Sequence, residues 1–408
     1  MRGFFAGSTV VQDAPQLAQH TIAPACGECG LYRTCKSPKM PVYGQGLKGV
    51  MIVGEAPGEQ EDDRGIPFIG KAGQRLRSSL QSIGINIKRD CWVTNACICR
   101  PQGNKTPDDK KVDACRPNLL KAIEERQPKV IILLGGSACR SLISYSWKDN
   151  PGPILRWTGF QIPSQRPNAW ICPTYHPSYL MRQNSELADR EFDNHLEAAF
   201  QLTSHPWKKV PNWAGQVEVL LDTASAVRRI RDFIKAKART AVDYEANALK
   251  PEYDGFKILS CALSARNVGT VSFLWNDKTA AAMGDFWFDP KIPKVASNLK
   301  YEDRLTRKFY GGLRPRGWFW DTMLAAHVLD CRRGITSVKF QSYVLLGVGG
   351  YNDHIEPFLQ SSKGKKINEA ELEIDPGQLL QYGGEDALYE DKVAQVQMQK
   401  MEERVLTV

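Results

Sequence analysis

The stretch Val50-Met-Ile-Val-Gly-Glu-Ala-Pro-Gly58, continued by Glu59-Gln-Glu-Asp62, decides the fold of the first half of the chain. Its four leading apolar residues predict a buried strand, and the glycine-rich turn that follows places acidic side chains at the carboxyl end of that strand. Similar runs begin at Cys91, Lys129 and Trp170, with helical stretches between them near 73–83, 109–125 and 137–143. This alternation predicts an α/β domain with a parallel sheet, whose functional residues gather at the strands' carboxyl ends.

A second α/β unit is predicted after residues 205–216, a segment with two prolines and no apolar periodicity that we interpret as a linker. The expected domains are therefore 1–204 and 217–408. Strands are predicted at 218–221, 240–243, 257–263 and 270–274, the last two as antiparallel neighbours. Helices are predicted at 224–238 and from 376 to about 404, and a solvated loop at 361–366.

Composition limits the functional classes. The formal net charge of +9 over 408 residues suits a polyanionic partner without proving one. No segment approaches the ~20 apolar residues that span a bilayer, so we expect no membrane association and a cytoplasmic location. In that compartment the eleven cysteines are expected as metal ligands or core residues rather than disulfides.

Four cysteines form a candidate metal set. Cys26-Gly-Glu-Cys29 is a close pair, and Cys99 and Cys115 are each followed by Arg-Pro. Four thiolates can hold zinc or an iron–sulfur cluster, although unrelated cysteines are the alternative. Cys35 and Cys97 lie near the set and leave its membership open.

The first half resembles the family-4 uracil-DNA glycosylases, the iron–sulfur type. The resemblance covers about residues 20–200 and rests on an ordered set: Cys26/Cys29, Gly54–Gly58 with Glu61-Asp62, Pro67-Phe-Ile-Gly70, Thr94-Asn95, Cys99-Arg-Pro101 with Asn104, Cys115-Arg-Pro117, and His176-Pro-Ser-Tyr-Leu180. It implies a three-layer α/β/α fold and a four-iron, four-sulfur cluster on Cys26, Cys29, Cys99 and Cys115.

The chemistry of base excision assigns roles to these residues. A flipped base needs an aromatic face and an edge partner. Phe68 can supply the face and Asn95 the edge contact, unless they merely pack in the core or close a turn. Ala56 and Asn104 are expected as further substrate contacts. His176 can stabilise the departing uracil anion, and Glu55 and Glu61 can orient the water, unless they cap a helix.

Two carboxylate motifs mark the second half. Asp243 and Glu245 lie two apart on a strand, so their side chains share a face. Tyr382 and Asp386 lie four apart on a helix and share a face as well. Such a cluster can bind two divalent cations for phosphodiester hydrolysis.

Residues 240–400 resemble the ribonuclease-H-like 3′–5′ exonuclease domain of A-family DNA polymerases. The matches are Val242-Asp-Tyr-Glu245, Ser297-Asn-Leu-Lys-Tyr-Glu302, Trp320-Asp-Thr-Met-Leu324 and Tyr382-Gly-Gly-Glu-Asp386. The resemblance implies that Asp243, Glu245, Glu302 and Asp386 bind two Mg²⁺ or Mn²⁺ ions, and that Tyr382 positions the attacking water. Glu302 stands where the family usually has Asp, so the adjacent Asp303 is the alternative candidate for this metal ligand.

For other side chains in this half we predict structural or solvent-exposed roles, with one aromatic run as a further candidate. We expect Asp321 to cap a helix, because Asp-Thr is a capping pair. Glu385 and Glu390 are expected as solvated helix charges. The run Trp318-Phe-Trp320 could stack on single-stranded DNA or pack in a core.

Together the two resemblances predict a bifunctional DNA replication and repair enzyme that excises uracil and removes 3′ nucleotides from single strands in proofreading. The alternative is an exonuclease whose glycosylase-like domain only holds DNA, and a non-catalytic scaffold is a third reading. The chain ends where an A-family polymerase would begin its thumb, so a separate DNA polymerase subunit is the expected partner, as in a bacteriophage replication module in the host cytoplasm.

Overall fold

The computed structural model describes residues 24–148, 150–205, 209–359, 366–368 and 373–406. Two β-sheets organise these residues, one in each half of the chain. The strands are β1 Val50–Gly54, β2 Cys91–Asn95, β3 Val130–Leu134, β4 Ile162–Ser164 and β5 Ala169–Thr174 in the first sheet, and β6 Val217–Leu220, β7 Thr240–Ala246, β8 Ile258–Ala265, β9 Gly269–Leu274, β10 Lys294–Ala296 and β11 Trp318–Asp321 in the second.

Helices flank both sheets. Those of the first half are α1 Cys26–Cys29, α2 Glu59–Arg64, α3 Lys71–Ser82, α4 Ile87–Asp90, α5 Asp109–Arg126, α6 Gly136–Ser146, α7 Pro177–Gln183 and α8 Glu186–Gln201. Those of the second half are α9 Thr223–Ala236, α10 Asp277–Phe288, α11 Lys300–Phe309, α12 Thr322–Leu329, α13 Val338–Leu346, α14 Glu356–Leu359 and α15 Pro376–Leu406.

The first sheet has the strand order β2-β1-β3-β5-β4, and every pair is parallel except β4 with β5. Alternate residues of each strand point to opposite faces. Val50 and Ile52 pack in the core that α3 and α8 complete, whereas Met51 and Val53 pack in the core that α5 and α6 complete. The three-layer α/β/α prediction is confirmed.

The second sheet has the order β11-β10-β7-β8-β9-β6. Strands β7, β8 and β9 form an antiparallel meander, and β10 and β11 extend it in parallel from β7. This arrangement, an antiparallel triplet with two parallel strands beside its first member, is the ribonuclease-H-like topology that was predicted. The long helix α15 packs across the sheet, with Leu380, Ala387 and Val393 buried.

Most elements predicted from the sequence are present, with ends shifted by a few residues. Three strands were not predicted: β4, β10 and β11. Each of these strands has only three or four residues, and β4 and β11 lie at sheet edges. Part of the expected linker, 206–208, and most of the expected loop, 361–365, lie outside the described residues.

The halves meet through α13. Its Phe340 and Tyr343 belong to the same buried cluster as Trp157 and Ile171 of the first domain. A helix of the second half in sequence therefore completes a core of the first half in space.

Candidate active sites

A cleft of about 540 Å³ opens at the carboxyl edge of the first sheet. Parallel strands end there together, so residues that follow different strands become neighbours. The cleft is lined by all seven residues predicted to bind or process a base: Glu55, Ala56, Glu61, Phe68, Asn95, Asn104 and His176.

Phe68 and Asn95 lie side by side at the floor of this cleft. A Cβ atom on Gly54 would stand 2.4 Å from Phe68 Cζ and 2.5 Å from Asn95 Oδ1, so only glycine fits between them. Phe68 has a φ of 59°, a conformation unusual for an aromatic residue and typical of positions held by their surroundings. The ring and the amide are therefore fixed relative to each other.

His176 begins α7 and occupies its N-cap. The Ser178 backbone amide donates to His176 Nδ1 over 3.2 Å, so the ring proton resides on Nε2. Burial, with a smaller contribution from Arg182, lowers the pKa of His176 to about 4. The imidazole is therefore neutral at physiological pH and has one N–H to donate.

The two glutamates are held differently. Ser137 Oγ donates to Glu55 Oε2 over 3.2 Å, at the first turn of α6. The Gly70 amide donates to Glu61 Oε1 over 2.7 Å, so Glu61 ties down the loop that carries Phe68. Neither glutamate caps α2, whose N-cap Gly58 receives no side-chain hydrogen bond.

Asn104 is oriented by Arg100. Arg100 Nε donates to Asn104 Oδ1 over 2.8 Å, and the same guanidinium pairs with Glu59 over 3.3 Å. Arg100 therefore positions the asparagine that lines the cleft.

Beside the cleft, the four predicted thiols line a single small cavity. Helix α1 supplies Cys26 and Cys29, and α5 supplies Cys115. Two donors point at sulfur: the Lys39 amide lies 3.2 Å from Cys99 Sγ and Asn118 Nδ2 lies 3.5 Å from Cys115 Sγ. Such donors are typical around iron–sulfur ligands, so the residues present fit a cluster.

The two extra thiols lie at the edge of this set. Cys97 shares a hydrogen bond with Cys115, which lowers the Cys115 pKa to about 6. Burial raises the pKa of Cys99 to about 12, with Cys35 beside it. Cys35 and Cys97 therefore contact ligand candidates.

In the second domain, oxygens of Asp243, Glu245 and Asp386 lie within 4.8 Å of one another. Among the described residues these are the one group of three or more His, Cys, Asp or Glu side chains that converge so closely. β7 supplies the first two and α15 the third. Burial, and then Asp386, raise the pKa of Asp243 to about 8. A cation would relieve this repulsion, so the residues fit a divalent metal site.

Glu302 lies just outside this group. It is 2% exposed, its pKa is raised by burial and then by Asp243, and its Oε2 has no hydrogen-bond partner. Asp303, in contrast, accepts from Trp318 Nε1 over 3.3 Å and pairs with Arg307. Of the two acids, Glu302 is the one that faces the carboxylates.

Asp321 caps α12 as predicted, accepting from the Met323 amide over 2.9 Å. It also accepts from the Asn298 and Leu299 amides over 3.1 Å, which fixes the turn before Glu302.

The prediction that Glu385 and Glu390 are solvated was wrong. They are 6% and 2% exposed, because α15 lies flat on the sheet and buries these positions. Burial raises the pKa of Glu385 to about 7. Burial and then Asp243 raise that of Glu390, whose Oε2 has no hydrogen-bond partner.

Two residues of the aromatic run pack within the protein, and the third is exposed. Trp320 Nε1 donates to Gln397 over 3.1 Å, and Trp318 packs in the core. Phe319 is 56% exposed.

Sequence reasoning missed two side chains at the carboxylates. Lys339 Nζ lies 2.8 Å from Tyr382 Oη and 3.4 Å from Asp386 Oδ2, and Tyr351 Oη donates to the other Asp386 oxygen. Burial acts to lower the pKa of Lys339, but the neighbouring carboxylates, Asp386 foremost, together outweigh it and raise that pKa. The sequence feature that could have indicated Lys339 is its position as a single charged residue within the mostly apolar run Val338–Leu346.

Fold and sites define a two-domain protein that combines an α/β/α domain with a cleft at its sheet edge and a ribonuclease-H-like domain bearing a carboxylate cluster. Residues 41–201 match the family model "Uracil DNA glycosylase superfamily". The type-4 uracil-DNA glycosylase of Pyrobaculum aerophilum is 36% identical over 172 residues, 40% of this chain and 83% of that protein. That of Thermotoga maritima is 37% identical over 139 residues, 33% of this chain and 68% of that protein.

Through its N-terminal half, the chain belongs to the type-4 uracil-DNA glycosylase family, a family of hydrolases.

Solved nuclease structures are also similar to the chain, at low levels. Brucella melitensis NrnC with bound Mg²⁺ is 17% identical, with a TM-score of 0.33, and covers 46% of this chain and 81% of that chain. The catalytic core of RRP6 from Trypanosoma brucei is 16% identical, with a TM-score of 0.32, and covers 47% and 50%. The strand order and carboxylate geometry described above define the second domain independently of these likenesses.

Within the described ranges, no helix combines the length and apolarity required to cross a membrane.

Proposed function

We propose that the chain is a DNA-processing enzyme with two active sites, a uracil-DNA glycosylase in residues 1–204 and a 3′–5′ exonuclease in residues 217–408, joined by 205–216. One kind of observation supports both activities: residues distant in sequence converge, seven of them in the cleft of the first domain and three carboxylates in the second. Family membership supports the first, and the convergence of Asp243, Glu245 and Asp386 supports the second.

In the first site, a flipped uracil would stack on Phe68 and pair its edge with the Asn95 amide. His176 would donate from Nε2 to the uracil oxygen as the N-glycosidic bond breaks. A neutral donor suits this step, because charge appears on uracil only as the bond breaks. Glu55 would orient the water that attacks the sugar, while Glu61 would hold the Phe68 loop in place.

The thiols of Cys26, Cys29, Cys99 and Cys115 would hold a four-iron, four-sulfur cluster. They lie on three separate segments, so the cluster would tie the start of the domain to α5 and to the loop after β2. We propose this structural role because the thiols line a cavity beside the base cleft.

In the second site, Asp243, Glu245 and Asp386 would bind Mg²⁺ or Mn²⁺, with Glu302 completing the set. Bound metals supply a nucleophilic water and stabilise the leaving oxygen. Tyr382, whose phenol burial keeps protonated, would orient that water by its own O–H.

The decisive experiment uses a 5′-labelled single strand with one uracil, incubated in EDTA and then treated with alkali. EDTA silences a metal-dependent nuclease and leaves a glycosylase working. A break at uracil that is lost in Glu55→Gln and His176→Ala would support excision. An intact strand in EDTA, digested once Mg²⁺ is added, would refute the glycosylase and favour a DNA-holding domain. No digestion with Mg²⁺ would refute the nuclease.

A role in proofreading requires a polymerase. We propose a separate DNA polymerase subunit, within a bacteriophage replication module, as the partner. Co-purification of the tagged chain from phage-infected cells tests this, and recovery without any polymerase would contradict it.

A further inference from the structure

Helix α13 has one face built into the first domain. The ring centroid of Phe340 lies 5.0 Å from that of Trp157 and 5.8 Å from that of Trp147. Tyr343 Oη lies 2.6 Å from Ser146 Oγ. At the end of the helix, a Cβ atom on Gly347 would stand 1.8 Å from the Pro163 carbonyl oxygen. The first domain therefore fixes both the position and the end of α13.

The residue before Phe340 faces the second domain. Successive residues of an α-helix point about 100° apart, so Lys339 and Phe340 can serve different sites. Lys339 Nζ donates to Tyr382 Oη over 2.8 Å and lies 3.4 Å from Asp386 Oδ2. The same ammonium lies 5.0 Å from the centroid of the Tyr382 ring.

This geometry constrains Tyr382. Because Lys339 donates to its oxygen, the tyrosine's own proton must point elsewhere, toward the carboxylates, where Asp386 accepts it. The ammonium also shares Asp386 with any cation bound to the carboxylates. Lys339 thus orients both the Tyr382 hydroxyl and Asp386, one of the proposed metal ligands.

We propose that Lys339 is a positioning residue of the nuclease site, and that the glycosylase-family domain holds it in place through Phe340 and Tyr343. The inference rests on the proposed nuclease function. It makes the first domain a structural requirement for metal-dependent hydrolysis, whether or not that domain is excising uracil.

The first test compares Lys339→Met and Lys339→Arg in the full chain. With a 5′-labelled single strand and Mg²⁺, Lys339→Met should lower kcat by roughly 10- to 100-fold with KM little changed. Lys339→Arg should recover part of that loss, because it keeps a charged donor.

Mn²⁺ binding, followed by electron paramagnetic resonance without DNA, gives a readout independent of turnover. Lys339→Met should bind Mn²⁺ several-fold more tightly, because a positive charge beside the carboxylates is removed. Weaker or unchanged Mn²⁺ binding, or an unchanged kcat, would overturn the positioning role. A wild-type chain that binds Mn²⁺ but digests nothing would refute the proposed function instead.

The second test addresses the domain connection with matched Phe→Leu changes. Phe340 and Phe192 are both fully buried, but Phe192 lies on the opposite face of the first sheet. Phe340→Leu should lower kcat several-fold and alter Mn²⁺ binding, whereas Phe192→Leu should leave both unchanged. Equal effects would overturn the proposal.

Should Phe340→Leu fail to fold, Tyr343→Phe removes only the hydroxyl, whose hydrogen-bond partners Ser146 and Ser164 both belong to the first domain. It should lower kcat measurably while the melting temperature stays within a few degrees of wild type. An unchanged kcat in a folded Tyr343→Phe protein would overturn the proposal as well.

Discussion

The Ser178 amide and His176 Nδ1 are joined by a 3.2 Å hydrogen bond, which fixes the tautomer of the one histidine that lines the cleft of the first domain among the described residues. Burial lowers the pKa of His176 from 6.5 to about 4, so the ring stays neutral across the physiological range. The Nε2–H donor that the proposed excision mechanism requires is therefore present without any protonation step.

His176→Ala should reduce uracil release by roughly 100- to 1000-fold, the usual cost of losing one transition-state donor. Single-turnover release in EDTA should show no wild-type ionisation near pH 6.5, because His176 gains its proton only near pH 4. A wild-type break near pH 6.5 that disappears in the variant would contradict the neutral-donor assignment.

Gly54→Ala should impair excision while the sheet still forms. The added methyl would meet Phe68 and Asn95 within 2.5 Å and push them apart. A displacement near 1 Å can cost roughly 100-fold in rate. Gly136→Ala is the matched control, because a Cβ there meets nothing within 4 Å. Equal losses of activity in both variants would show that the loss in Gly54→Ala does not come from displacement of Phe68 and Asn95.

Glu302 and Asp303 are adjacent in sequence, but we expect substitution of the first to lower digestion far more than substitution of the second. Glu302→Gln should lower Mg²⁺-dependent digestion by roughly 10- to 100-fold, because its carboxylate faces the metal site. Asp303→Asn should change digestion less than a few-fold, since Asp303 bonds Trp318 and Arg307. Initial rates of digestion of a 5′-labelled single strand measure both effects. A larger loss in Asp303→Asn than in Glu302→Gln would reassign the metal ligand to Asp303.

Metal stabilisation should grow with pH. Burial and Asp386 raise the pKa of Asp243 from 3.8 to about 8, so the folded chain retains a proton that the unfolded chain has lost. Without metal, stability therefore falls as pH rises through this window, and the contribution is gone above about pH 8. A bound cation stabilises the ionised form instead.

The upward shift in melting temperature caused by Ca²⁺ should thus be larger at pH 8.5 than at pH 6. In Asp243→Asn this pH dependence should shrink. An equal Ca²⁺ shift at both pH values in the wild type would contradict the raised pKa.

Cys115→Ser should lose iron and visible absorbance, and should destabilise the first domain, because Cys115 lines the thiol cavity on α5. Cys331→Ser is the control, since Cys331 is exposed and lies outside that cavity. Iron per chain, measured after anaerobic purification, separates them. Full iron content in Cys115→Ser would remove it from the ligand set.

The sequence by itself determined the local periodic features. The apolar run at Val50 gave a buried strand, the spacing of Asp243 and Glu245 put two acids on one face of β7, and the four-residue step from Tyr382 to Asp386 put both on one face of α15. These relations hold because strand and helix periods act within a few residues. The seven residues that the ordered motifs of the first half suggested for base binding or excision all line one cleft.

Only the tertiary structure decided which side chains are buried from solvent. Glu390 has the sequence context of a solvated helix charge, yet α15 presses it against the sheet beside Asp243. Lys339 and Phe340 belong to one short helix that serves two domains. Burial and charge pairing depend on surfaces brought together from distant parts of the chain, which local spacing does not encode.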